Sequence, residues 1–112
     1  MEKNFMKEAL KEAKKAYAKK EIPVGAVIVK KGNIIARAHN LKETKQTALA
    51  HAEILAIQKA NKKLDNWRLI DCDIYVTLEP CNMCMGAIVS SRIKNIYILY
   101  ILQLLVKSLP HL

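Results

Sequence analysis

Two short motifs constrain this chain more than anything else in it. His51-Ala52-Glu53 and Cys81-Asn82-Met83-Cys84 are far apart in the sequence, and each falls at the start of a predicted helix. Cys-x-x-Cys places two thiolates within reach of one ion, and His51 offers a neutral nitrogen from a different helix. His51 and Glu53 stand at i and i+2, so they share no lateral helix face. Both approach one ion only if it sits beyond the helix N-terminus, off the first turn. A fold that uses all four side chains must therefore bring two helix N-termini to one point. Their partial positive ends favour thiolates and a bound hydroxide there.

Three protein ligands, His51, Cys81 and Cys84, leave a fourth tetrahedral position to water, the mark of a catalytic rather than a structural zinc. The residues alone leave two alternatives open. A structural site needs a fourth ligand, for which His39 and Cys72 are the candidates, although each reads more simply as a strand residue. A lone Cys-x-x-Cys in a small α/β chain also suits a thioredoxin-like dithiol. Three cysteines is an odd number, which argues against a secreted disulfide framework and for a reducing compartment. A soluble, cytoplasmic chain without a membrane partner is the expectation. Lys and Glu recur through Met1–Lys20 with no apolar h-region. The longest apolar run, Ile96–Leu105, falls far short of the roughly 18 residues that span a bilayer.

Periodicity sets the architecture around these motifs. Asn4–Lys20 reads as an amphipathic helix with Phe5, Met6, Ala9, Leu10, Ala13, Ala16 and Tyr17 on its inner face. Val24–Lys30 is a β-branched, nearly all-apolar run, hence a strand buried on both sides, and Lys31-Gly32-Asn33 turns it into Ile34–His39 as a hairpin. Leu41–Thr47 is polar and reads as a loop. Ala50–Lys63 is a second helix, Asp73–Leu78 a third strand stopped by Pro80, Cys81–Ser91 a third helix and Lys94–Tyr100 a fourth strand. Strands alternating with helices imply an α/β layered sheet. Trp67 is expected in the core rather than as a base-stacking platform.

With 112 residues the chain makes one domain. Its 19 Lys and Arg against 10 Asp and Glu give a net charge of +9, which favours a polyanionic partner such as nucleic acid. Lys3, Lys7, Lys11, Lys15 and Lys19 follow one another at i+4 on the first helix. Such like charges disfavour an isolated helix, and a bound polyanion would offset that. The plainer reading is a solvated lysine face, partly relieved by Glu8 and Glu12.

His51-Ala52-Glu53 with Pro80-Cys81-x-x-Cys84 resembles the signature of the zinc-dependent nucleobase deaminases. Ile22-Pro23-Val24-Gly25-Ala26-Val27, Ala38-His39-Asn40, Ala50–Ile57, Asn66-Trp67-Arg68-Leu69 and Thr77–Ile88 resemble its bacterial tRNA-specific adenosine deaminase branch. The resemblance implies a three-layer α/β/α, cytidine-deaminase-like sheet with helices on both faces. It implies one Zn²⁺ per chain on His51, Cys81 and Cys84, with Glu53 as the general acid/base. It implies Asn40 and the Ala52 backbone N–H as contacts to a flipped-out base, a tRNA anticodon loop as partner, and a homodimer. The implied reaction is hydrolytic deamination of adenosine to inosine at the wobble position. Deamination of guanine, cytosine or a nucleotide on the same fold is the alternative, and an inactive zinc-stabilised module that binds RNA or a partner is another.

The resemblance covers residues 1–99, taken here as an incomplete deaminase domain. Residues 100–112 form an atypical apolar tail with no cap, turn glycine or polar face. The family continues through further elements where this tail stands, so the expectation is a chain that lacks its C-terminal elements and associates through exposed apolar surface.

Overall fold

Side chains alternate across β1 (Gly25–Lys30), and that alternation divides the protein into layers. Val27 and Val29 pack with Ala9, Phe5 and Met6 of α1 (Phe5–Ala18). Ala26 and Ile28 point the other way, into a larger core with Ala56, Ile57 and Ala60 of α3 (Ala52–Leu64) and Ile88 of α4 (Asn82–Ser90). The remaining elements are β2 (Asn33–His39), the short α2 (Lys42–Lys45), β3 (Cys72–Val76) and β4 (Asn95–Ile98). This computed structural model describes residues 4–99, so the expectations for the apolar tail lie outside the described residues. The described strands form one sheet in the order β2-β1-β3-β4 with helices on both faces, the expected three-layer arrangement.

β1 pairs antiparallel with both β2 and β3, whereas β3 and β4 run parallel through the α4 crossover. β2 and β3 are thus parallel to each other, with β1 between them. A bulge at Ile28/Val29 shifts the β1–β2 register by one residue. It lets Ile34 face α1 while Ile35 joins the core on the opposite side.

α1 sits unusually close to the sheet, and small residues make that possible. Ala9, Ala13 and Ala16 are fully buried. Gly25 lies beneath them. A Cβ there would run into the Ala9 carbonyl oxygen and lie 2.5 Å from the Ala13 nitrogen. Glu12 shares this buried face, contrary to its reading as part of a solvated surface. Its carboxylate accepts from Lys15 Nζ at 2.7 Å and His39 Nδ1 at 2.9 Å, and Arg37 Nη1 lies 3.6 Å away. Lys11 pairs with Glu8 at 3.0 Å, and Lys19 Nζ meets His39 Nε2 at 2.9 Å. Among the described residues, Lys11, Lys15 and Lys19 of the i+4 series therefore each have a partner in the fold.

Two further expectations need correction. Leu41–Thr47 is not wholly loop, because Lys42–Lys45 closes one helical turn. The buried Glu21 carboxylate supplies what that polar sequence lacks, an acceptor for the turn's first N–H groups, and Gln46 ends it in the left-handed region. Trp67 is 52% exposed instead of core. Leu69 takes the fully buried place, and Asn61 Nδ2 donates to the Asn66 and Trp67 carbonyls, which holds the indole outside. Its ring is flanked by the Arg68 guanidinium at 4.3 Å and that of Arg92 at 5.6 Å.

Gly25→Ala is expected to destabilise the fold by about 3 kcal/mol or more, because the added methyl meets the α1 backbone at Ala9 and Ala13 and the Glu12 Cβ, none of them the movable end of a side chain. Gly86→Ala, mid-helix with nothing near its added methyl, should stabilise by about 0.5–1 kcal/mol. Urea unfolding of both variants checks the contrast, and equal midpoints would contradict it.

Acid should act through Glu12. Burial pushes its carboxyl up, but hydrogen bonds and charge from Lys15 and His39 outweigh that and hold it below the usual carboxylate range. With the folded value the lower one, its stabilisation is complete above the unfolded pKa of roughly 4.3 and is lost as pH falls through the folded value. Stability of the parent chain should therefore fall more steeply below about pH 4.5 than that of Glu12→Gln. Chemical denaturation across pH 3–7 measures both slopes (~one unit spacing suffices).

Candidate metal centre and cleft

Parallel strands β2 and β3 end at the same edge of the sheet, and the chain leaves each of them there to begin a helix. Open α/β sheets place ligands outside such carboxyl ends. After β2 the chain passes Asn40 and α2 and reaches His51, the N-cap of α3. After β3 it passes Thr77, whose Oγ1 accepts from Gly25 N at 3.0 Å, and reaches Cys81, the N-cap of α4. Pro80 excludes a further ladder hydrogen bond and starts the turn into that helix. Two helix N-termini meet as the i, i+2 spacing requires.

His51 Nδ1 lies 3.4 Å from Cys84 Sγ and 3.8 Å from Cys81 Sγ. The three ligand atoms lie within 4.8 Å of one another, and among the described residues no other group of His, Cys, Asp and Glu has comparable geometry. Tetrahedral zinc, with Zn–S about 2.3 Å and Zn–N about 2.0–2.1 Å, separates nitrogen from sulfur by about 3.6 Å. The donor set and its spacing thus fit that ion. Neither candidate for a fourth, structural ligand joins the cluster. His39 faces α1, held by Glu12 and Lys19, and Cys72 is fully buried with Sγ 3.6 Å from the Ile70 carbonyl.

Glu53 sits beside the cluster without belonging to it. Its carboxyl is buried two residues along α3 from His51, near enough to the Cys84 thiol for the two to perturb each other. Burial raises its pKa, against the lowering effect of the backbone at the helix start and of His51. Burial also pushes the Cys84 thiol well above its usual range, reinforced by the charge of Glu53 and by Cys81. A divalent cation on these ligands reverses the balance for the thiols, since coordination favours thiolate outright.

The cluster opens into a cleft of about 200 Å³. Asn40, His51, Ala52, Glu53 and Cys81 line it, so the structure brings five of the six sequence-derived site residues to one wall, with Cys84 buried beneath. Asn40 Oδ1 accepts from Lys42 N at 3.2 Å, and Nδ2 donates to the Ile22 carbonyl at 3.4 Å. That leaves one lone pair and one N–H of the amide for a ligand. Ala52 is the first residue of α3, so its N–H has no intrahelical acceptor. Sequence reasoning missed Ile22, Val24, Lys42, Leu78 and Glu79, which complete the lining. Pro23 and Pro80 flank four of them and mark chain turning at a strand end. Lys42 carries no such signal.

The family described as the cytidine and deoxycytidylate deaminase zinc-binding region matches residues 1–100. The tRNA-specific adenosine deaminase of Bacillus subtilis strain 168 is 60% identical over 92 residues, covering 82% of this chain and 57% of its own length. The chain thus spans little more than half of that relative. A tRNA:A34 deaminase, solved in work on A-to-I editing at the wobble position of transfer RNA, superposes with a TM-score of 0.82. The two share 46% identity over 84% of this chain and 72% of the other. Guanine deaminase from Bacillus subtilis superposes with a TM-score of 0.83 and 42% identity, over 86% of this chain and 62% of its own. Fold and sequence agree over nearly all the described residues, and the chain belongs to the cytidine and deoxycytidylate deaminase zinc-binding family.

Proposed function

We propose that this chain carries the site of a zinc-dependent hydrolase that deaminates adenosine to inosine at the wobble position of tRNA. One observation carries the reading: a buried carboxylate, Glu53, and a three-residue cluster of His51, Cys81 and Cys84 that could hold one ion stand together at a cleft. The 60% identity to a tRNA-specific adenosine deaminase supports the choice of substrate.

His51, Cys81 and Cys84 would hold the ion. Zinc, when bound, supplies a Lewis acid that brings the pKa of water to roughly 7. Glu53 does the proton work. Its carboxylate takes a proton from the attacking water and gives it to the purine ring nitrogen next to the attacked carbon. It then takes the second proton from the hydroxyl now on that carbon and delivers it to the amino group, which leaves as ammonia while the carbon keeps the oxygen as a carbonyl. A buried carboxylate on the wall of the same cleft suits this task, because a general acid/base must stand within hydrogen-bond reach of the proton it moves. The free polar positions of Asn40 and the N–H of Ala52 hold the edge of the base, and Ile22, Val24 and Leu78 pack against its faces.

The tRNA anticodon loop is the proposed partner, in keeping with the +9 charge. The proposed assembly is a homodimer, supported by exposed Leu49, Met83 and Val89. The proposed location is the cytoplasm, supported by three unpaired thiols. No helix among the described residues is long and apolar enough to cross a membrane. The close superposition on a guanine deaminase keeps a free-base substrate as the second reading. Ammonia release from an anticodon stem–loop, adenosine, guanine and cytidine separates the two. Zinc bound without any turnover would leave only a binding module.

Metal analysis of purified protein should give about one zinc per chain. Cys84→Ser should lose it together with several kcal/mol of stability, because metal binding is coupled to folding, on the order of 10 kcal/mol in small zinc domains. Cys72→Ser should retain it. Full zinc content in Cys84→Ser would overturn the ligand assignment.

Glu53→Ala should keep zinc and lose deamination by roughly two to four orders of magnitude, the scale of a general acid/base. Zinc lost along with activity would instead make Glu53 a ligand. Metal content and turnover are measured on the same preparation.

A further inference from the structure

Glu21 is buried within the α1–β1 connection, far in sequence from the turn it holds. Its Oε1 accepts from Glu43 N at 3.0 Å, and its Oε2 accepts from Thr44 N at 2.6 Å and Thr44 Oγ1 at 2.7 Å. Three hydrogen bonds accepted by one carboxylate tie α2 to the segment that carries Ile22 and Val24. Asn40 fastens the same junction from the other side, through its own N–H to the Val24 carbonyl at 3.1 Å and its side chain to Ile22 and Lys42. All four of Ile22, Val24, Asn40 and Lys42 line the cleft. Lys42 is the one lysine or arginine among the lining residues, and it is exposed at the start of α2.

We propose that Glu21 is a positioning residue: its carboxylate holds the α2 turn so that Lys42 stands at the cleft rim, where its ammonium takes a phosphate of the incoming nucleotide. The proposal rests on the nucleic-acid deaminase reading for the identity of that ligand. It also accounts for a buried carboxylate on which the chemistry makes no demand. A free base has no phosphate for Lys42, so the clamp favours a polynucleotide over guanine or adenine.

The test uses the zinc-loaded full chain and a fluorescent anticodon stem–loop RNA, titrated by anisotropy at several salt concentrations, with Glu53→Ala present to stop turnover. Lys42→Ala and Glu21→Gln should each raise Kd roughly three- to tenfold, and the double variant no more than the worse single, because both act on one contact. Each should flatten the slope of log affinity against log salt by about 0.7, the loss of one phosphate contact on a single strand. A merely structural role would lower the unfolding temperature and leave that slope alone. Thr44→Val removes one of the three clamp bonds and should move Kd in the same direction by less, which serves if Glu21→Gln fails to fold. With Glu53 restored, KM should rise by the same factor as Kd while kcat stays within about twofold. Turnover with Kd, KM and salt slope indifferent to all three variants overturns the proposal and leaves the deaminase reading intact. Absence of turnover with the binding shifts present overturns the deaminase reading and leaves the role of Glu21 intact. An RNA that the parent chain does not bind overturns the role of Glu21 as well.

Discussion

Because β2 and β3 both pair antiparallel with β1, they finish at one edge of the sheet, and each hands the chain to a helix there. The rest of the site depends on this pairing. His51 and Cys81 are N-caps only because α3 and α4 both start at that edge. Two N-terminal dipole ends then converge where the Cys81, Cys84 and Glu53 side chains gather, and they favour the anionic forms of those groups. The same charge arranged at helix C-termini would be opposed by the backbone.

Burial works on the site in two directions at once. It keeps Cys84 and Glu53 away from water, which raises the cost of their charged forms. It also makes every compensating interaction stronger, whether from a cation, a helix end or a donor N–H. The cleft side stays open through exposed Cys81 and half-buried His51, so the cluster has a protected floor and an accessible front. A site built this way binds its metal tightly only when the surrounding turns are folded, which links ligand geometry to the stability of the whole domain.

Most of the architecture was legible in the sequence because period and punctuation agreed. The β-branched run of β1, the Lys31-Gly32-Asn33 turn and the small-residue face of α1 each have one structural outcome. The clustering of His51, Cys81 and Cys84 was legible because zinc restricts residue type and spacing together. What stayed hidden were long-range polar choices. Nothing local says that Glu21 caps a turn more than twenty residues away, or that Glu12 turns inward toward His39. Trp67 looked like core on hydrophobicity alone, and Leu69 outcompeted it two residues later. Lys42 became a cleft residue only through the fold of a segment with no hydrophobic period.

The notch at Gly25 has a mechanical consequence. With two successive turns of α1 seated against one bare Cα, the helix is keyed to the sheet as a shaft is to its hub, free neither to slide nor to rotate. Glu12 and Glu21 ride on that shaft or at its end, and they reach β2 and the α2 turn respectively. The helix farthest from the metal ligands in layer order thereby becomes the alignment reference for the cleft's rim. Drift of the chain by a side chain's width along α1 would be transmitted to a surface it never touches.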